Sequence, residues 1–391
     1  MRRVAVVTGT RAEWGLLEPI AAAACRRDDL ELAIFAGGAH LVPLRASHLN
    51  DDSDAPTIGE VDAWARERNV TVRRFEMQRA GETGRFADAA ALGRGVSRLT
   101  ELLRETDPDF VVVLGDRIEA LAAASAAAVA GIRVAHVHGG DRAEGIADEA
   151  IRHAVSKLAH IHFAASPSSA ARLLRLGEDA ARVHLVGSPA IDGLTEIKSA
   201  AIDAVAGDDR GDAARYVFLM HPVGRADADE ERDARLVLDQ LGRRGRTLVL
   251  LPNLDPGRDG IVRAIEAVAA APDGNFKVLG HLSRRNFLSL VRRPEVVALV
   301  GNSSAGLIEC AALGVRAVNV GPRQNGRERA DNVRDVAEPS QHTLAQALDE
   351  LEHWRPSGRH PFGDGSPASR IAEILGTVEL ARCPVRKRNA F

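Results

Sequence analysis

The chain has 391 residues, enough for two or three domains at about 150 residues each. An apolar share of 45% supplies cores, and 51 basic residues against 54 acidic ones leave a net charge of −3. That balance gives no global field to recruit nucleic acid or an acidic membrane surface, and 27% charged residues beside so large an apolar share exclude a mostly disordered chain.

In chain order, short apolar runs alternate with alanine- and leucine-rich stretches of helical length. Residues 4–8 lead into a predicted helix over 16–26, and 32–36 follow. A second run, 110–114, precedes a helix over 118–130. Residues 133–136 precede one over 148–158, and strands at 161–164 and 183–186 continue the series. The pattern restarts with predicted strands at 216–220, 247–251, 277–279, 296–300 and 317–320. Such alternation indicates βαβ units and parallel sheets buried on both faces. The expectation is two Rossmann-like α/β domains, residues 1–190 and 191–370, with a helix and tail over 371–391 packing back on the first. Residues 203–212 read as a linker or exposed loop, and 51–59 as a mobile loop. The three cysteines, Cys25, Cys310 and Cys383, are too scattered for a disulfide framework or a metal knuckle. Only four apolar residues separate Arg3 from Thr8, too few for a secretory core, and the alanine-rich run 120–132 falls short of the roughly 20 residues that span a bilayer. A cytoplasmic location is expected.

Ligands of open parallel sheets sit beyond the carboxyl ends of the strands. Polar clusters fall at six such places: Thr8-Gly9-Thr10-Arg11, Gly115-Asp116-Arg117, His138-Gly139-Gly140-Asp141, His221-Pro222, Pro252-Asn253 and Gly301-Asn302-Ser303-Ser304. Split between two halves, they suggest one ligand in a cleft between domains. The small residues 301–306 ahead of a predicted helix over 307–313 suit an anion, with Ser303 and Ser304 as donors, although an ordinary helix cap is the plain alternative. Glu309, inside that helix, is placed to accept ribose hydroxyls. Arg323, Arg327 and Arg329 crowd one loop and suit a diphosphate, as does Arg11 from the other half; a solvated charge run is the alternative. Neither a Walker lysine nor a GxGxxG sits at a strand exit.

The first half supplies the acid–base candidates. Asp116 precedes Glu119, and His138, Asp141, Glu144, Asp148, Glu149, Arg152 and His153 crowd one stretch. Asp148 with Arg152, and Glu149 with His153, share helix faces; a salt-bridged helix start explains the carboxylates but not His138-Gly139-Gly140-Asp141. Two carboxylates in a water-poor cleft can divide acid and base roles. The histidine and carboxylate spacings compel no metal site, and neither metal nor cofactor is expected.

The segments Val6-Val7-Thr8-Gly9-Thr10-Arg11-Ala12-Glu13-Trp14-Gly15, Leu114-Gly115-Asp116-Arg117, His138-Gly139-Gly140-Asp141 with Asp148-Glu149 and Ile151-Arg152-His153, and Gly301-Asn302-Ser303-Ser304 resemble the UDP-N-acetylglucosamine 2-epimerase family, in its hydrolysing branch. The likeness runs in order from about residue 4 to residue 335. It implies a glycosyltransferase-B-like pair of domains and a UDP-sugar substrate. It also implies elimination of UDP to a glycal and rehydration to a free N-acetylmannosamine-type sugar. By family position Asp116 and Asp148 are catalytic carboxylates, with Arg152 and His40 near the sugar, and Arg11, Arg117, His221, Asn253, Ser303, Ser304, Glu309 and Arg323 hold the substrate.

His138 departs from the pattern by standing where many relatives carry a glutamate. Glu144 or Asp141 is then the substitute carboxylate, or His138 itself protonates the leaving phosphate. Gly224, where a threonine is common, and Pro256, in a loop usually small and flexible, also depart. The spacing of Asp141, Glu144 and Asp148-Glu149 is similar to that of relatives acting on UDP-2,4-diacetamido-2,4,6-trideoxyglucose. The Glu-Ala-Gly-Leu-Arg stretch of non-hydrolysing relatives is absent. The expected assembly is a homodimer or homotetramer. A non-hydrolysing epimerase, a glycosyltransferase on the same fold, or a UDP-sugar-binding protein without chemistry are the competing readings.

Overall fold

A computed structural model describes residues 1–42, 57–82, 84–142, 148–194, 214–253, 257–270, 274–279 and 282–390, and of Asp148 the backbone alone. The expected linker at 203–212, Glu144 and Pro256 lie outside the described residues, as do positions 51–56 of the expected loop. Ile58 and Gly59 of that loop instead open a helix, α2 (Ile58–Glu67), which follows α1 (Arg11–Cys25) in the chain.

Two all-parallel sheets carry the architecture. The first is formed by β1 (Arg2–Thr8), β2 (Leu30–Gly37), β3 (Thr71–Phe75), β4 (Phe110–Leu114), β5 (Arg133–Val137), β6 (Ile161–Ala164) and β7 (Val183–Leu185) in the order β3-β2-β1-β4-β5-β6-β7. The second, β8 (Tyr216–Leu219), β9 (Thr247–Leu250), β10 (Phe276–Leu279), β11 (Ala298–Gly301), β12 (Ala317–Val320) and β13 (Val333–Val336), runs β10-β9-β8-β11-β12-β13. The doubly wound orders place the first switch point between β1 and β4 and the second between β8 and β11, where a ligand cleft is expected.

Interior strands are largely buried because helices cover both faces, and β4 is apolar along its whole length. Phe-Val-Val-Val-Leu of β4 is buried at every position. Two edge strands, β3 and β13, escaped sequence reading for a related reason, while the edges β7 and β10 are among the expected strands. Arg73 and Arg74 in β3, and Arg334 and Asp335 in β13, face solvent and interrupt the apolar run, as edges that avoid further pairing do. On one face of the first sheet, α3 (Arg85–Thr106) packs on α4 (Ile118–Val129), whose buried alanines permit close approach. The other face holds α1, its Trp14 meeting Trp64 of α2 edge to face.

The helix Pro367–Thr377, far along the chain, packs into that same first core through Ala368, Ile371, Ala372 and Leu375, and Cys383 joins them. Leu375→Ala, at a fully buried position, should lower unfolding free energy by about 2–5 kcal/mol in denaturant titration, the usual cost of a leucine cavity. A cost like that of a surface site would mean the helix is not part of this core.

Candidate active site

Strand exits of both sheets converge. After β4, Asp116 meets Arg152 of α5 (Asp148–Leu158): Nη2 of the arginine donates to the Asp116 carboxylate, and Nη1 donates to the His138 carbonyl at 3.0 Å. The Arg152 side chain is 2% exposed and that of Asp116 20%, so the carboxylate alone opens toward the cleft. Of Asp148 the structure describes only its place as the first residue of α5.

His138, after β5, adopts a left-handed backbone with φ 62°, an uncommon conformation for a residue other than glycine. Its Nδ1 lies 2.7 Å from Asp141 and its Nε2 2.9 Å from Ser188, which follows β7. Burial would raise the Asp141 carboxyl, but His138, Arg152 and Arg327 hold it well below the ordinary carboxylate range. An ionised Asp141 only accepts, so the ring proton sits on Nδ1 and the Ser169 hydroxyl donates to the other oxygen at 2.6 Å. The turn closes only because residue 140 is glycine: at φ 78° a Cβ would come within 2.3 Å of the Ser169 carbonyl oxygen. The His138–Asp141 pair thus stands in the position where the resemblance places a carboxylate.

His40 lies on the turn Gly38–Leu41, between Thr8 Oγ1 at 3.0 Å and Thr57 Oγ1 at 2.7 Å. Burial, then the nearby Arg11, pushes it down to about 4, so it is neutral at pH 7. Arg11 itself forms a two-point pair with Glu60 of α2. Arg117 lies 3.6 Å from the buried Glu119. Beneath them, Glu13 accepts from the Gly9 amide at 2.9 Å. On Gly9's other side the Glu119 side chain lies so close that a Cβ would sit 2.3 Å from its Cγ.

In the second half, both sides of the switch point are joined. The Asn302 amide accepts from the His221 N–H and donates to the His221 carbonyl, each at 2.7 Å, and the His221 ring accepts from the Asn253 N–H at 3.2 Å. Ser303 caps a short 3-10 turn, Ser304–Gly306, through a 3.4 Å bond from the Ala305 amide. The helix expected over 307–313 starts only at Glu309, ending at Leu313. Glu309 is raised by removal from water, against the pull of Arg284 and His138. Arg323 donates to the Asn302 carbonyl at 3.2 Å, which aims its loop back over the serine turn.

The two halves touch at this loop. Arg327 donates to the Arg142 carbonyl at 2.7 Å, Arg172 to the Gly326 carbonyl at 3.2 Å, and Ser166 to the Glu328 carboxylate. Removal from water and the neighbouring Arg152 push Arg327 down to about 10, while Asp141 and Asp116 favour its charge. Arg327 thus lies near Arg152, Arg323, Asp116 and Asp141 where the halves touch, and guanidinium groups so grouped suit a diphosphate. Sequence reading missed Ser166 and Ser188, although each directly follows a strand and obeys the strand-exit rule used for the other clusters. Among the described residues no group of three or more His, Cys, Asp or Glu is placed to hold a metal, and no helix is long and apolar enough to cross a membrane.

This fold and cleft define a nucleotide-sugar enzyme of glycosyltransferase-B-like architecture, and the chain belongs to the UDP-N-acetylglucosamine 2-epimerase family, whose model matches residues 23–376. It is 32% identical to the hydrolysing UDP-N,N'-diacetylbacillosamine 2-epimerase of Legionella pneumophila, over 100% of both chains. It is 30% identical to the UDP-N-acetylglucosamine 2-epimerase of Neisseria meningitidis, over 99% of this chain and 98% of that one. The fold is similar to a solved structure of UDP-GlcNAc 2-epimerase from Neisseria meningitidis bound to UDP-GlcNAc, with TM-score 0.76 and 18% identity over 95% of this chain and 99% of that one.

Burial, then Glu119, raises Glu13 from 4.5 to about 8, so the acid stays protonated in the fold while it ionises in the unfolded chain. A raised acid makes the native state lose stability as pH climbs from 4.5 to about 8. Glu13→Gln, neutral throughout, should therefore gain melting temperature over the parent at pH 8 and show little difference at pH 5. A gap that shrinks toward alkaline pH would contradict a neutral Glu13.

Proposed function

We propose that the protein is a hydrolysing 2-epimerase that converts a UDP-2-acetamido sugar to UDP and the free 2-epimeric sugar. The observation that carries this reading is the pairing, across one cleft, of arginines and serines suited to a diphosphate with the Asp116 carboxylate held by Arg152.

In this mechanism Ser303, Ser304 and Arg323 hold the diphosphate, and Glu309 accepts the ribose hydroxyls. His221 and Asn253 border the nucleotide. Arg117 and Arg11 close on the phosphates from the first half, the latter by exchanging an exposed Glu60 carboxylate for the ligand, a weak pair to give up. A carboxylate, Asp116 or Asp148, takes the C2 proton while the C1–O bond to UDP breaks, forming the C1=C2 bond of a glycal. Water then adds its hydroxyl to C1, and a proton returns to C2 from the opposite face, so substrate plus one water gives UDP plus the epimer. The C2 hydrogen is barely acidic, so positive charge developing at C1 and negative charge on the departing phosphate must be stabilised together. The proton for the departing phosphate comes from His138 Nε2 once the ring carries a second proton and exchanges its Ser188 contact for the phosphate, with Nδ1–H staying on Asp141; His40 is a neutral sugar contact.

The preferred sugar follows a second observation. Relatives acting on UDP-N,N'-diacetylbacillosamine include the Legionella protein and one from Campylobacter jejuni, 27% identical over 90% of this chain and 88% of that one. That sugar, UDP-2,4-diacetamido-2,4,6-trideoxyglucose, is therefore the reading set against UDP-N-acetylglucosamine, and both belong in the assay.

In deuterated water each turnover should yield free UDP and a sugar carrying one deuterium at C2 by mass spectrometry; an unlabelled product or an acceptor-dependent transfer would refute proton exchange at that carbon. Asp116→Asn should cut kcat by about 10²- to 10⁴-fold, as expected for a lost acid–base group, with KM little changed. Arg323→Ala should instead weaken UDP binding by about 10- to 100-fold in calorimetry, the range for a lost charged hydrogen bond. Equal losses of UDP affinity in both would mean that the two roles are misassigned.

A further inference from the structure

The last residues of the chain do more than cover the first core. After the 3-10 turn Leu380–Arg382, the tail crosses the far side of the first sheet, away from the cleft. Arg133 of β5 donates to the Cys383 carbonyl at 2.6 Å, His160 to the Val385 carbonyl at 3.0 Å, and the Ala390 amide to the Gly177 carbonyl at 2.8 Å. Between these anchors Lys387 turns inward. Its ammonium donates to the Ser156 carbonyl at 3.0 Å and the Lys157 carbonyl at 2.9 Å, and forms an ion pair with Glu178, whose side chain is 1% exposed.

Those two carbonyls belong to the last turn of α5, where the Ser156 carbonyl also accepts from the Ala159 amide at 3.2 Å and where a cation is favoured by the helix dipole. The same turn is tied to the site by a second route. The Ser156 hydroxyl bonds His136 Nδ1 at 3.1 Å, and His136 Nε2 donates to the Gly115 carbonyl at 2.8 Å, one residue before Asp116. One turn earlier on α5, Arg152 grips the Asp116 carboxylate itself. Glu178 also receives Lys157 and His162, each at 2.8 Å, so Lys387 enters an anchored charge cluster rather than a flexible surface pair.

We propose that the C-terminal tail is a strap that seats α5, with Lys387 as a positioning residue that fixes Arg152 and the Asp116 loop from behind. The strap rests on the epimerase reading for its kinetic consequence, since that reading makes Asp116 the reacting group. It acts on the half of the molecule that carries the carboxylates, while Ser303, Ser304 and Arg323 lie on the other half. Loss of Lys387 should accordingly be read in turnover and not in nucleotide affinity.

The test uses the full-length chain with Lys387→Met, Lys387→Arg and, as a control on an exposed neighbouring charge, Arg386→Met. Lys387→Met should lower kcat by about 10-fold or more, in keeping with the sensitivity of reacting geometry to small displacements, while KM and the Kd for UDP stay within about twofold. Hydrogen–deuterium exchange should quicken in α5, Lys387→Arg should recover most of the turnover, and Arg386→Met should match the parent. A Lys387→Met enzyme with parental kcat and unchanged α5 exchange would overturn the proposal. So would a parallel loss of turnover, UDP affinity and melting temperature, which marks a tail that only stabilises the fold. If the parent chain turns over no UDP-2-acetamido sugar, the epimerase reading fails by itself, and the strap is judged on α5 exchange alone.

Discussion

The site is organised by one buried cation. Arg152 is almost wholly removed from water, and a guanidinium in that position is costly unless its donors are met. Asp116 and the His138 carbonyl meet its Nη2 and Nη1, while the buried Nε has no protein partner, and this ties the exits of β4 and β5 to α5 in a single arrangement. Asp116 is thereby held in place by Arg152 with one side of its carboxylate open. The left-handed backbone of His138 belongs to the same arrangement, because that residue must present its carbonyl to Arg152 and its ring to Asp141 and Ser188.

The second half answers this with a loop of two functions. Residues 321–329 carry Arg323 toward the serine turn, while Arg327 and Glu328 dock on the first half through Arg142 and Ser166. Arg284 adds a further tie, donating to the carbonyls of Ala190 and Asp192 at the junction of the halves. Binding a diphosphate and closing the halves therefore involve one segment, so that nucleotide recognition and assembly of the reacting groups are physically linked.

Central strands and the principal site clusters were legible in the sequence because both follow local rules. Phe110–Leu114 is a continuous apolar run, and Asp116, His138, His221 and Asn302 stand just beyond strands. What was not legible depended on partners distant in the chain. The pair that holds Arg11 before a ligand arrives is made with Glu60, 49 residues away. The Ser166–Glu328 contact joins residues separated by 162 positions, and Lys387 meets Ser156 across 231. No local spacing encodes such pairings. The serine turn misled in another way: its small residues read as the start of one helix, but the chain makes a 3-10 turn first and enters α-helix only at Glu309.

The account stands on a diphosphate lying between the two switch points. A crystal structure of the protein with UDP tests this most directly. The account predicts the pyrophosphate within hydrogen-bond distance of Ser303, Ser304 and Arg323, with its terminal phosphate directed toward Asp116. UDP bound elsewhere, or with that phosphate turned away from Asp116, would contradict it.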